Sequence, residues 1–101
     1  MSDTITDLMM RYTLRLSSDW QVDRVVMDTE HQRVDVYLSH SGKNLVCPET
    51  GEGGTLYDHC KARSWRHLDW FQCKCFVHCR VPRVKSSSGI KTIQIPWADA
   101  S

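Results

Sequence analysis

The stretch Cys73-Lys74-Cys75-Phe76-Val77-His78-Cys79-Arg80-Val81 alternates with a period of two. Small apolar side chains stand at Cys73, Cys75, Val77, Cys79 and Val81, and charged, imidazole or aromatic ones at Lys74, Phe76, His78 and Arg80. Successive side chains of a strand point to opposite faces, so this split demands a half-buried strand. A helix would scatter the same residues around its axis. The chain must therefore build a sheet here and cover its apolar side. The spacing predicts one long strand over 72–85, followed by a flexible turn at Ser86-Ser87-Ser88-Gly89.

Other segments supply the neighbours. Arg33 to Ser39 alternates with Val34, Val36 and Leu38 toward a core and Arg33, Asp35 and Tyr37 outward. The Val-rich run Trp20 to Asp28 makes a hairpin with it through Thr29-Glu30-His31-Gln32. Ala62 to Asp69 reads as a strand turning near Asp69-Trp70-Phe71, and Ile90 to Ile95 as a last strand closed by Pro96-Trp97. Ser41-Gly42-Lys43-Asn44 is a turn. Leu45 to Gly54 is expected to be a mobile loop, with Gly51, Gly53 and Gly54 permitting positive backbone angles.

The N-terminus predicts a helix over about 4–16. Thr4-x-x-Asp7 forms a capping box, and Ile5, Leu8, Met9 and Tyr12 recur on one face as core. Asp7 and Arg11 lie to the sides, and Ser17-Ser18-Asp19 ends the element. With 101 residues the chain suits one domain, 1–101, with one modest core. The expected fold class is α+β: one N-terminal helix packed on a small antiparallel sheet of about five strands, β-rich over 20–97.

Charge is distributed unevenly. Met1 to Asp58 carries ten acids and five bases, a net of −5; His59 to Ser101 carries eight bases and two acids, a net of +6. That asymmetry points to a polyanion partner for the C-terminal half. No apolar run is long enough to span a bilayer. The N-terminus has acids early and no basic stretch leading into an apolar one, unlike a signal or transit peptide. The expected location is cytoplasmic, where cysteines stay thiols or bind metal.

The residues that could carry chemistry are few. Cys73, Cys75 and Cys79 sit on the apolar face of a straight strand, which favours core over metal ligation. His59-Cys60 lacks a matching second pair. Asp58, Asp69 and Asp99 do not make the acidic cluster that two-metal phosphoryl transfer needs. Serine–histidine and cysteine–histidine pairs exist, but no order or spacing selects one. His67 and His78 read as strand residues facing solvent or a neighbour. The expectation is a protein without catalysis, cofactor or small-molecule substrate. Trp20, Trp65, Trp70 and Trp97 read mainly as packing, although Trp65, between Arg63 and Arg66, could stack on a base.

Cys47-Pro48-Glu49-Thr50-Gly51 has the shape of a zinc knuckle, Cys-Pro-x-Cys-Gly, with threonine at the second sulfur position. Together with Tyr57-Asp58-His59, Trp65-Arg66-His67-Leu68-Asp69, Arg80-Val81-Pro82-Arg83-Val84 and Pro96-Trp97, it resembles the N-terminal zinc-finger domain of bacterial insertion-sequence transposases of the ISL-three type. The likeness covers nearly the whole chain. It implies a zinc-ribbon-like module that assists DNA binding in transposition, with a helix-turn-helix and a catalytic domain lying beyond Ser101. The family has a Cys-Pro-x-Cys knuckle and a later Cys-Pro-x-His-Gly knuckle. Here Thr50 takes the second ligand position, and Ser86-Ser87-Ser88-Gly89 stands where the later knuckle belongs. One ligand of four is kept, so the expected zinc ribbon is degenerate and holds no metal.

The expected partner is therefore DNA, bound weakly and in a salt-sensitive way through Lys61, Arg63, Trp65, Arg66, Lys74, Arg80, Arg83 and Lys85. Two alternatives stay open. One is a module that associates with itself or with an intact transposase through a sheet edge. The other is a metal-binding protein that uses Cys60, Cys73, Cys75 and Cys79 as relocated ligands.

Overall fold

A computed structural model of the chain describes residues 4–70 and 72–97, apart from the side chains of Thr4, Thr6 and Leu68. The described residues form an α+β fold with one short helix and seven strands in two sheets. The helix α1 spans Thr4–Thr13. The strands are β1 Trp20–Asp28, β2 Arg33–His40, β3 Thr55–His59, β4 Arg63–Trp70, β5 Cys73–Cys79, β6 Pro82–Ser86 and β7 Gly89–Thr92. The first sheet has the order β1-β2-β5-β4, and the second β3-β6-β7.

The first sheet is mixed. β1 and β2 form the expected antiparallel hairpin, and β4 pairs antiparallel with β5. β2 and β5 run parallel, with Val34 opposite Cys75 and Val36 opposite Val77. The purely antiparallel sheet expected from the sequence is corrected at this pair. Strands joined by a long connection can return in the same direction, and residues 41–72 separate these two.

The single strand expected over 72–85 is two strands in different sheets. β5 ends at Cys79, and β6 starts at Pro82. Buried positions run Cys73, Cys75, Val77, Cys79 and Val81, then shift phase to Pro82 and Val84. That slip lets one continuous segment serve two sheets.

The inner face of the first sheet carries the main core. Val34, Val36, Leu38, Cys75, Val77 and Cys79 are buried together with Met10 and Leu14 of the helical region and Trp20 and Trp97. Trp97 meets Trp20 edge-on at 4.9 Å and Trp65 edge-on at 5.4 Å. Burying aromatic rings in such T-shaped contacts combines area with favourable ring electrostatics. Leu45, Cys47 and Val84 are also buried, outside that cluster.

The helix uses a different face from the one expected. Ile5, Leu8 and Tyr12 are 67%, 60% and 89% exposed, whereas Met10 and Leu14 are fully buried. The helix also stops sooner. Leu16 N–H bonds Arg11 C=O at 2.9 Å, Arg15 N–H bonds Tyr12 C=O at 3.2 Å, and Arg15 has φ 58°. These are the two bonds of a Schellman cap, with arginine in the left-handed position that glycine usually takes. The cap turns Leu14 and Leu16 onto the sheet, so Met10, one turn before Leu14, faces inward with them. The capping box at Thr4 involves a side chain outside the described residues, as does the turn residue Phe71.

Candidate functional site

The segment expected to be a mobile loop folds into a closed turn. Val46 bridges Gly53, Cys47 N–H bonds Glu52 C=O at 2.8 Å, and Gly51 N–H bonds Cys47 C=O at 2.8 Å. Gly54 N–H bonds Leu45 C=O at 3.0 Å. Of the three glycines, Gly51 takes the positive angle, φ 76°. Gly54 serves close approach instead: a Cβ there would lie 2.4 Å from the Lys85 carbonyl oxygen and 2.6 Å from a Val84 methyl.

Against this turn lies the β6–β7 hairpin, closed at Ser86 and Gly89. Gly89, the first residue after the Ser87-Ser88 turn, has φ 107°, in the region that favours glycine. The Cys47 sulfur and the Ser88 hydroxyl are 3.3 Å apart, and the Ser88 and Ser86 hydroxyls 2.9 Å apart. Ser87 donates to the Glu52 carboxylate at 2.5 Å, which ties the two turns together a second time. The Thr50 hydroxyl lies in the same turn and also acts on the sulfur. The Ser88 and Thr50 hydroxyls and the backbone amides of the turn stabilise the thiolate and bring the Cys47 thiol from 9.0 down to about 6.

One thiol among neutral hydroxyls does not suit zinc, which takes four thiolate, imidazole or carboxylate donors. The hydroxyls instead act as donors toward sulfur. The other cysteines go elsewhere. Cys73, Cys75 and Cys79 face the core, and burial pushes the Cys75 thiol up and the Cys79 thiol up to about 12. Cys60 lies 3.8 Å from the Thr92 hydroxyl. Among the described residues no three His, Cys, Asp or Glu side chains form a metal-holding group.

The basic residues divide among several places. Lys61, Arg63 and Arg80 gather where the chain crosses between the sheets. Arg80 Nε donates to the Cys60 carbonyl at 3.0 Å, next to Lys61, and Arg63 stands opposite Cys79, next to Arg80. All three are exposed. Trp65 is half-buried against Trp97, with the Arg63 guanidinium 5.1 Å from its ring centre, so it packs more than it projects. Arg66 and Lys74 lie on the outer face of the first sheet, and Arg66 pairs with Asp69. In the second sheet Arg83 grips Asp58 in a two-pronged pair, with Nε at 2.6 Å, and this holds the Asp58 carboxyl below the usual range. Lys85 is exposed opposite Thr55.

The outer face of the first sheet also assembles an array the sequence did not single out. The Ser64 hydroxyl is 2.7 Å from His78 Nδ1, and His78 Nε2 is 2.6 Å from Asp35 Oδ1. Asp35 also accepts two bonds from Arg33 at 2.8 Å, which with His78 hold its carboxyl below the usual range. Tyr37 stacks on His78 at 4.6 Å under the Arg24 guanidinium, and Phe76 lies between Arg33 and Arg66. The carboxylate is committed to Arg33 before it meets the imidazole. The array therefore works as a cross-strand clasp over β2, β5 and β4. Only the registers of three strands bring these residues together, so no local motif announces them.

No protein-family model, characterised protein or solved structure matches the chain. Among the described residues no helix is long and apolar enough to cross a membrane.

Proposed function

We propose that the protein is a non-catalytic, DNA-associating module related to the N-terminal domain of ISL-three type transposases, with a zinc-ribbon-like unit whose ligand positions have been replaced. The carrying observation is the junction of the two sheets, where Lys61, Arg63 and Arg80 are all exposed on chain segments that meet there. Cations grouped in this way neutralise phosphates and release counterions. The zinc-ribbon likeness rests on two turns that meet tip to tip, Cys47-Thr50 against Ser86-Ser88. Phosphate contact positions a protein without reading sequence, so binding is weak and tolerant of sequence. Arg66 and Arg83, already paired with carboxylates, contribute less than Lys61 and Arg63.

The test is fluorescence anisotropy of a labelled duplex across a salt series. Association at low salt that fades at moderate salt is expected, with Lys61→Ala plus Arg63→Ala lowering the salt slope by about two. No association at low salt overturns the reading.

A further inference from the structure

β1 lies at one end of the first sheet, so one side of its backbone faces no strand among the described residues. Such edges are commonly blunted by lysine, proline or a bulge. β1 has a bulge, at Asp23 between Val22 and Arg24, but beyond it runs an unblunted stretch, Arg24-Val25-Val26-Met27-Asp28. Val26 is 42% and Met27 46% exposed, large values for apolar residues in the middle of a strand. The opposite edge strand, β4, carries Arg63, Arg66 and Asp69.

This five-residue stretch is complementary to itself in the antiparallel sense. Placed across a two-fold axis at Val26, Arg24 of one copy stands opposite Asp28 of the other, Val25 opposite Met27, and Val26 opposite Val26. The faces agree as well. Arg24, Val26 and Asp28 share the outer face with Tyr37, Asp35 and Arg33, whereas Val25 and Met27 share the inner face with Val36 and Val34. One register thus forms two opposite-charge pairs on the outside and two apolar pairs on the inside. A shift by two residues would place Asp28 opposite Val26 and undo both sets. The Asp28 carboxylate already meets the His31 backbone amide and ring, which hold it below its usual range, and an arginine across the axis would add to these contacts.

We infer that β1 is a self-association edge, across which two copies of this chain pair antiparallel about Val26 into one continuous eight-stranded sheet. The contact is isologous, the arrangement that closes a dimer and leaves no further edge of the same kind. It is a short contact, so the dimer is weak and concentration-dependent. It goes beyond the DNA reading and is independent of it, since Lys61 and Arg63 stand at the far side of the sheet.

Sedimentation equilibrium over micromolar to millimolar protein tests the assignment, with circular dichroism confirming that each variant folds. The wild type should show a monomer–dimer equilibrium. Arg24→Asp places two carboxylates opposite each other at both ends of the contact, and Asp28→Arg does the same with guanidinium groups. Each single variant should weaken the dimer at least tenfold, and the double variant Arg24→Asp plus Asp28→Arg should restore it. Val26→Lys should abolish it. A wild type monomeric at millimolar concentration overturns the inference. So does a dimer insensitive to these changes, which would lie at another surface, or a double variant no better than the singles.

Discussion

At Cys47 a thiol is held by hydroxyl and amide donors in a turn shaped like a metal knuckle. Its folded value, about 6, lies below the ordinary 9.0, so folding favours the thiolate. The stability this contributes is present above about pH 9 and is lost as pH falls through about 6. Thermal unfolding between pH 6 and 9 should therefore show a midpoint that rises with pH. Ser88→Ala removes the leading donor and should flatten that rise, an unchanged slope counting against the account. Cys79 behaves oppositely: raised to about 12, it stays a neutral thiol in the core, so it lowers stability only where the unfolded thiol begins to ionise, at the top of that range. Gly54 offers a second residue-level check. A methyl group there meets the Lys85 carbonyl and cannot be absorbed by a flexible side chain, so Gly54→Ala should cost about 1–3 kcal/mol in urea unfolding.

Among the elements, α1 separates the two readings of the helix most clearly. Leu14→Ala should cost about 3 kcal/mol, because it empties a fully buried site, whereas Leu8→Ala should change stability by less than about 0.5 kcal/mol. The periodicity of Ile5, Leu8, Met9 and Tyr12 was as regular as any core stripe. What decided the face was the cap at Arg15 and the pull of Leu14 and Leu16, neither visible from spacing alone. The strands were more legible. β1 matches its expected span, and the inward faces of β2 and β5 follow the period-two pattern directly. The break between β5 and β6 was hidden because apolar alternation ran on to Val81, and Pro82 was the local signal of a new strand. The Ser64–His78–Asp35 clasp was illegible for a different reason: it depends on a parallel pairing between strands far apart in the chain.

At the scale of the whole molecule, two sheets share one continuous segment, β5 into β6, and three of the basic residues, Lys61, Arg63 and Arg80, stand where the chain crosses between them. The second sheet has little core of its own: Pro82 and Val84 are buried in it, and Leu45 and Cys47 are buried in the turn joined to it. Its closure depends on the contact between the Cys47 turn and the β6–β7 hairpin. Bonds among Cys47, Ser88, Ser86, Ser87 and Glu52 join the two turns, and on the proposed reading they stand in for the ligands of a zinc site. Metal content measured on the purified protein, together with thermal unfolding before and after chelation, tests this most directly. Substoichiometric zinc and an unchanged unfolding midpoint are predicted. One zinc per chain, with unfolding on its removal, would contradict the account.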